Sequence, residues 1–258
     1  MEKKMVFFDL DGTLLNRDNR VVPSAKQAIR ALMENGVIVA IATGRAPFMF
    51  TDIREELNIN TFISFNGQYV VKEGEAVFQN PLEPDGLKKL GFQASQNDHP
   101  MVYLDHIEMK ANLAGHRYIE DSLASLNFSY PAVDPDFHKR RDVYQALLFC
   151  EGKEELSYLD HYDRFEMIRW HEFSVDVIPS GGSKAEGIKC LLKHYGVARA
   201  NAFAFGDGLN DIQMLNFVGT GIAMGNASPE AKKAADFVTK SVSEDGIVHG
   251  LEKLNLLK

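Results

Sequence analysis

Two carboxylates stand two positions apart near the start of the chain, in the stretch Asp9–Leu15, which reads DLDGTLL. They directly follow the apolar run Met5–Phe8. A short apolar run ended by Asp and Gly predicts a buried strand that leads into a loop. In an open α/β sheet, ligands bind at the carboxyl ends of the strands. The spacing therefore predicts a site that contains Asp9 and Asp11, with Asp9 as a nucleophile that is phosphorylated and then dephosphorylated.

Polar residues also follow two later apolar runs, Val37–Ile41 and Asn201–Phe205. Because the carboxyl ends of parallel strands meet at one edge of a sheet, residues that are far apart in the chain become neighbours there. Lys184, at the start of a predicted helix, is expected at the same edge. The residues after the two runs are Thr43 and Gly44 in the first case, and Asp207, Asn210 and Asp211 in the second.

Phosphoryl transfer through a carboxylate would need these residue types. A carboxylate oxygen that attacks phosphorus forms an aspartyl-phosphate. Both partners are anions, so a divalent cation must offset their repulsion. Mg²⁺ prefers oxygen ligands and keeps some of its waters, so two or three protein oxygens suffice. The predicted ligands are Asp9, the backbone carbonyl of Asp11, and Asp207.

The other residues have predicted roles in proton transfer and in binding the phosphate. Asp11 would protonate the leaving oxygen and then accept a proton from the attacking water. Lys184 would neutralise a phosphate oxygen, and Asp211 would orient a water on the metal. Further donors to the phosphate are expected from the Thr43 hydroxyl, the Gly44 N–H and the Asn210 amide.

The order of predicted elements indicates an α/β fold. A helical pattern after Pro23, followed by the continuous apolar run Val37–Ile41, predicts a βαβ unit with parallel strands. Ser24 and Gln27 have the spacing of a capping box at the start of this helix. A third strand is predicted at Thr61–Phe65, and a small hairpin follows it.

The pattern changes between residues 82 and 179. Helices there alternate with strand pairs such as Arg164–Trp170 and Phe173–Val177, whose residues alternate as half-buried antiparallel strands do. Segments with proline and glycine at 81–84 and 179–182 border the region. The predicted domains are a discontinuous α/β domain at 1–81 and 180–258, and an α+β insertion at 82–179.

The composition is that of an ordinary globular protein, with 258 residues, 45% hydrophobic and 25% charged. The formal net charge of −8 argues against nucleic acid or an anionic membrane surface as the main partner. We see neither a signal peptide nor an apolar run of membrane-spanning length, so we expect a cytoplasmic protein. The expected partner is a small phosphate ester, and the oligomeric state stays open.

Four motifs occur in the order found in the haloacid dehalogenase superfamily of phosphatases, which the chain resembles. The motifs are DLDGTLL at Asp9–Leu15, ATGR at Ala42–Arg45, SKAEGI at Ser183–Ile188 and GDGLND at Gly206–Asp211. The stretch ISFNG at Ile63–Gly67, and an insertion between the second and third motifs, resemble the Cof-type subfamily. The resemblance extends over nearly the whole chain, although across the insertion it is one of architecture alone.

The resemblance implies a Rossmann-like core and a cap at 82–179 that determines substrate specificity. It also implies hydrolysis of small phosphate monoesters, often sugar or nucleotide-cofactor phosphates. The family roles fall on Asp9 as nucleophile, Asp11 as acid and base, Thr43 and Lys184 as phosphate ligands, Asp207 as metal ligand, and Asn210 as a ligand of phosphate or substrate. Arg45 is expected to support the site, and Asn66 is either a turn former or a residue of the substrate pocket. Ala185 stands where many members of the family have glycine, and alanine is tolerated in a first helical turn.

Two other functions fit the same residues. A phosphomutase of the phosphomannomutase kind shares the aspartyl-phosphate step and has its cap in a similar position. Mutases of the best-known type instead carry the cap directly after the first motif. The roughly thirty residues between Asp9 and Thr43 hold only one βαβ crossover, so no cap fits there, which disfavours a mutase of that type. A non-catalytic phosphate-binding regulatory protein should have lost a chemical group, whereas none of the four groups expected to act on phosphate or metal is replaced. Those groups are Asp9, Asp11, Lys184 and Asp207.

Overall fold

A computed structural model describes residues 2–126, 128–159 and 165–257. The chain divides into two compact units. The first unit contains Met1–Arg45, Met49–Gln79 and Ser183–Lys258, and the second contains Ala46–Phe48 and Asn80–Gly182. All predicted site residues belong to the first unit. The assignment of a catalytic role to one domain and a specificity role to the other stays a prediction.

Both units contain strands and helices. The strands are β1 (Met5–Phe8), β2 (Ile38–Ala42), β3 (Phe62–Ser64), β4 (Tyr69–Lys72), β5 (Glu75–Gln79), β6 (Met101–Leu104), β7 (Met109–Ala111), β8 (Gln145–Phe149), β9 (Phe165–His171), β10 (Ser174–Pro179), β11 (Ala202–Gly206), β12 (Thr220–Ala223) and β13 (Phe237–Val238). The helices are α1 (Pro23–Glu34), α2 (Thr51–Leu57), α3 (Pro84–Gln96), α4 (Arg117–Ser125), α5 (Leu156–Leu159), α6 (Lys184–Tyr195), α7 (Ile212–Phe217), α8 (Pro229–Ala234) and α9 (Gly246–Lys253). Short 3₁₀ helices lie at Pro47–Phe50, Phe65–Gly67, Phe137–Lys139, Arg199–Asn201, Leu209–Asp211 and Val242–Glu244. Within the described residues, no helix is both long enough and apolar enough to cross a lipid bilayer.

One sheet organises the first unit. Its strand order is β13-β12-β11-β1-β2-β3-β4-β5, parallel from β13 to β3 and antiparallel from β3 to β5. Met5–Phe8 pairs with β2 on one side and with β11 on the other. All four of its residues are fully buried, which accounts for their uninterrupted apolar character. The predicted α/β fold with a parallel sheet is confirmed.

Helix α6 packs on this sheet and carries Lys184 at its first position. Ile188 and Leu191, on its buried side, belong to the same apolar cluster as Phe7 and Ala40 of the two central strands. Burial of each such side chain contributes about 1.5–3 kcal/mol relative to exposure. The packing therefore fixes the start of α6 relative to the strands that end in the polar clusters.

The second unit contains a separate antiparallel sheet. Its strand order within the described residues is β7-β6-β8-β10-β9. Leu87 and Leu90 of α3 pack in one apolar cluster with Tyr103 and Val177 of the sheet. The predicted α+β insertion is confirmed as a fold; Arg164, the predicted first residue of one strand, lies outside the described residues.

The start of α1 differs from the prediction. Ser24 does not cap the helix, because Pro23 occupies the first turn and Val22 is the N-cap residue without a capping side chain. The Ser24 hydroxyl instead donates to Asp245 Oδ1 at 2.5 Å. The predicted capping box is therefore wrong. Proline at the first helical position has no N–H, which leaves one fewer donor to satisfy.

Candidate active site

The loop after β1 buries Asp9 and brings the first motif against the last one. The Asp9 N–H donates to the Phe205 carbonyl at 3.0 Å, which extends the pairing of β1 with β11 into the loop. Gly12 has a φ of +79°, and a Cβ atom there would lie 2.2 Å from Asp207 Oδ2. Only glycine combines this backbone conformation with so close an approach. The loop therefore places Asp9 and Asp207 on neighbouring strand ends.

Lys184 lies fully buried between two carboxylates. Its Nζ atom is 2.6 Å from Asp9 Oδ1 and 2.6 Å from Asp211 Oδ1. Burial lowers the pKa of Lys184, but the attraction of Asp211 and Asp9 outweighs burial and raises the pKa above its ordinary value. The lysine therefore stays charged and holds the two acids together across the site.

Three carboxylates form an acidic cluster around this lysine. Asp9, Asp207 and Asp211 each offer an oxygen, and these oxygens all lie within 4.8 Å of one another. Burial and the nearby Asp211 raise the pKa of Asp9 well above its ordinary value, although Lys184 acts in the opposite direction. Burial also raises the pKa of Asp207, to about 6. Lys184 alone therefore does not make the ionised forms of Asp9 and Asp207 favourable in the fold.

Two side chains that the sequence did not single out fix the Asp207 carboxylate. The Thr13 hydroxyl donates to Asp207 Oδ1 at 3.0 Å. The Asn226 amide lies 3.4 Å from Asp207 Oδ2 and donates to the Gly12 carbonyl at 2.8 Å. Thr13 belongs to the DLDGTLL stretch, and Asn226 follows the end of β12. In the sequence, only their positions after strands could have indicated that they lie at the site.

Asp211 has protein partners at both of its oxygens. Oδ1 binds Lys184, whereas Oδ2 accepts the backbone N–H groups of Asp207 at 2.8 Å and Gly208 at 2.9 Å. The carboxylate therefore organises the loop after β11 from a fully buried position. Its role in orienting a water on a metal stays a prediction.

Thr43, Gly44 and Asn210 meet around Asn66. The Thr43 carbonyl accepts the Asn66 N–H at 3.1 Å, and the Asn210 amide donates to Asn66 Oδ1 at 3.1 Å. Gly44 faces the Asn66 amide, since a Cβ atom at Gly44 would lie 3.0 Å from Asn66 Nδ2. The three predicted phosphate donors thus share one neighbour.

The Asp11 carboxylate is paired with Arg45 and is not one of the three acids of the cluster. Arg45 Nε donates to Asp11 Oδ2 at 2.9 Å, and a terminal nitrogen of the same guanidinium binds Oδ1. The side chains are 55% exposed for Asp11 and 22% exposed for Arg45. Pairs this open to solvent contribute little to stability. The contact therefore orients the predicted acid and base more than it holds the fold together.

A family model described as haloacid dehalogenase-like hydrolase matches residues 6–251 of the chain. The chain belongs to this family. YkrA of Bacillus subtilis (strain 168), provisionally named a phosphatase, is 45% identical to this hydrolase over 258 residues, which are 100% of both chains. The match confirms the resemblance on which the motif assignments rest.

Solved structures agree with the fold of this hydrolase. A hypothetical protein from Geobacillus kaustophilus HTA426 is 50% identical, with a TM-score of 0.97 over 99% of this chain and 100% of that one. The subclass IIB sugar phosphatase BT4131 is 27% identical, with a TM-score of 0.85 over 99% of this chain and 100% of that one. This haloacid dehalogenase-like hydrolase is therefore a phosphatase with a Cof-type architecture.

Proposed function

We propose that this phosphatase hydrolyses small phosphate monoesters, such as sugar phosphates, through a phosphorylated Asp9 and with Mg²⁺ as cofactor. The observation that carries the proposal is the position of Asp9. Its carboxylate lies buried at the end of the central strand, bound to Lys184 and clustered with Asp207 and Asp211. A carboxylate held in this way, next to a fixed cation, has the setting of a nucleophile toward phosphorus.

The acidic cluster fits a divalent cation. Its donors are carboxylate oxygens, which Mg²⁺ prefers, and the raised pKa values of Asp9 and Asp207 indicate that positive charge is lacking there. We propose Asp9, Asp207 and the Asp11 backbone carbonyl as the residues that hold it. When bound, Mg²⁺ would offset the repulsion between the nucleophile and the phosphate.

In the first step, an oxygen of Asp9 attacks phosphorus and the bond to the leaving oxygen breaks. Lys184 holds Oδ1 of Asp9, so we expect Oδ2 to attack. The Asp11 carboxyl gives its proton to the leaving oxygen, which departs as an alcohol. Lys184, Thr43, Gly44 and Asn210 stabilise the negative charge on the transferring phosphoryl group. The product of this step is a phosphoryl group on Asp9.

In the second step, water attacks the phosphorus of the phosphorylated Asp9. The Asp11 carboxylate accepts a proton from this water, the bond from phosphorus to the Asp9 oxygen breaks, and inorganic phosphate is released. Arg45 holds the Asp11 carboxylate at both oxygens and so limits its orientations. We assign binding of the phosphate to the residues of 1–81 and 180–258, and selection of the leaving group to 82–179.

Release of inorganic phosphate from a panel of phosphorylated sugars tests the proposal. Purified protein with Mg²⁺ should release phosphate from some members, EDTA should stop the release, and added Mg²⁺ should restore it. Isomerised sugar phosphate without free phosphate would instead support the phosphomutase alternative. Turnover that persists in EDTA would contradict the assigned cofactor.

A further inference from the structure

The loop Phe65–Gly67, directly after β3, has an unusual backbone. Phe65 and Asn66 have φ angles of 50° and 52°, and Gly67 follows with a φ of 102°. The left-handed region is unfavourable for residues with a Cβ atom, least so for Asn. Two such residues in succession persist only where the surrounding contacts hold them. Contacts of this loop with its surroundings must therefore stabilise its backbone.

The backbone of the loop is tied to the second and third motifs. The N–H of Phe65 donates to the Arg45 carbonyl at 3.2 Å, and that of Asn66 donates to the Thr43 carbonyl at 3.1 Å. A Cβ atom at Gly67 would lie 2.1 Å from the Ser183 carbonyl oxygen, so the loop packs directly on the N-cap of α6. The loop thus joins the end of β2 to the residue that precedes Lys184.

The side chain of Asn66 connects this loop to the fourth motif as well. It is 8% exposed, and its Oδ1 atom accepts from the amide of Asn210, a residue that is itself exposed. Its amide group also rests against Gly44. A buried amide that holds an exposed amide limits the orientations the exposed one can take, and this is how a binding group is preorganised.

We infer that Asn66 is a positioning residue, which aligns the Asn210 amide and the Gly44 N–H for the phosphate of the substrate. The inference rests on the proposed function, since it assigns the residue that fixes the proposed phosphate donors. Asn suits the position because its side chain both donates and accepts, and because it tolerates the left-handed backbone. Asn66 takes part in no covalent step.

The substitution Asn66→Gly removes the amide while keeping a residue that adopts the left-handed backbone freely. We expect the inhibition constant of inorganic phosphate to rise about tenfold or more, and kcat/KM for p-nitrophenyl phosphate to fall by a similar factor, because one ordering hydrogen bond is lost. The thermal midpoint should change little. A variant with wild-type values of both constants would overturn the inference.

Asn58→Gly is the matched control. Asn58 also has a left-handed backbone, with a φ of 54°, but it ends α2 and is exposed. Both substitutions replace a left-handed Asn by glycine, so any general effect of that change appears in both. We expect the phosphate inhibition constant of Asn58→Gly to equal that of the wild type.

A double-mutant cycle with Asn210→Ala tests whether Asn66 acts through its neighbour. If it does, the combined loss in phosphate binding is smaller than the product of the two separate losses. Fully multiplicative losses would overturn the positioning role. If Asn66→Gly fails to fold, Asn66→Ala removes the same Oδ1 acceptor while keeping the Cβ atom, at the modest cost of a left-handed alanine. An unchanged phosphate inhibition constant in that variant would also overturn the inference.

Assays of phosphate binding and release by the wild-type protein distinguish failure of the proposed function from failure of the role of Asn66. If it neither binds inorganic phosphate nor releases it from any ester, the proposed function fails, and the role of Asn66 fails with it. If the wild-type protein does both and Asn66→Gly does the same equally well, only the role of Asn66 fails.

Discussion

Lys184 is the residue whose surroundings explain most about the site. A buried ammonium has a large desolvation cost, which here is offset by two carboxylates at 2.6 Å. Removal of the lysine would leave Asp9 and Asp211 buried and facing each other. The same residue therefore matters for stability and for the charge that meets the phosphate.

We expect Lys184→Met, measured in EDTA at neutral pH, to lower the free energy of unfolding by about 3–5 kcal/mol, because a buried charge pair loses one partner. Lys189→Met is the control, since Lys189 lies on the same helix with its side chain 64% exposed. Denaturant titrations check both variants, and a loss below about 1 kcal/mol for Lys184→Met would contradict the argument.

Asp9→Asn should lower the rate of phosphate release by about 10³-fold or more, since an amide is not a nucleophile toward phosphorus. The raised pKa of Asp9 shows that its ionised form is unfavourable in the metal-free fold. The thermal midpoint in EDTA should therefore stay at or above that of the wild type. A variant that releases phosphate at the wild-type rate would exclude Asp9 as the nucleophile.

The pKa of Asp207 predicts a pH dependence of stability in metal-free protein. Because burial raises this pKa from 3.8 to about 6, the folded state binds the proton more tightly than the unfolded state does. The stabilising contribution is therefore complete below pH 3.8 and is lost as the pH rises toward 6. Since Asp207 is partly exposed, we expect a loss of about 1–2 kcal/mol. Unfolding curves in EDTA across this range check it, and Asp207→Asn should flatten the dependence.

At the scale of elements, sequence reasoning succeeded where local pattern and packing agree. Apolar runs ended by Asp or Gly located the strand ends of the site, and α6 begins at Lys184, as the sequence predicts. Sequence patterns did not predict contacts with residues that are distant in the chain. Ser24 binds Asp245 instead of capping its own helix, because the partner is brought there by tertiary structure.

Three side chains of the site show the same limit. The links of Thr13 and Asn226 to Asp207 depend on how loops from distant parts of the chain pack together. The link of Asn66 to Asn210 depends on a left-handed backbone that an Asn-Gly pair allows but does not require. Spacing along the chain indicates which strand end a residue follows, whereas its partners depend on tertiary contacts.

The loop after β1 leads to a prediction about glycine. Gly12→Ala should destabilise the protein by more than the about 1–2 kcal/mol of a left-handed alanine, because the added Cβ would lie 2.2 Å from Asp207 Oδ2. It should also weaken Mg²⁺ binding measured by calorimetry. Gly36→Ala is the control, since Gly36 has a similar φ of +75° and nothing within 4 Å of the added atom. Equal destabilisation by both substitutions would show that the approach to Asp207 is unimportant.

At the scale of the whole molecule, the site joins segments that are distant in the chain. Asp9 follows β1, whereas Lys184 and Asp207 come from the part of the chain beyond the second unit. A ligand that binds these residues together therefore stabilises the assembly of the first unit as a whole. The stabilisation by a bound ligand can be measured without any substrate.

We expect Mg²⁺ to raise the free energy of unfolding by about 2.7 kcal/mol at a hundred times its dissociation constant, because it binds the folded site alone. Thermal unfolding with increasing Mg²⁺ measures the effect. Asp207→Asn should abolish it. Equal shifts in the variant and the wild type would mean that the ion binds elsewhere.

The pairing of β1 with β11 has a consequence for the newly made chain. Met5–Phe8 leaves the ribosome long before its partner Ala202–Phe205. At about 5–20 residues per second, roughly 10–40 seconds separate the two. During that interval one edge of a fully apolar strand has no partner, which invites pairing with other nascent chains. We therefore expect the yield of folded protein in the cell to depend on translation speed and on chaperones that shield the N-terminal segment.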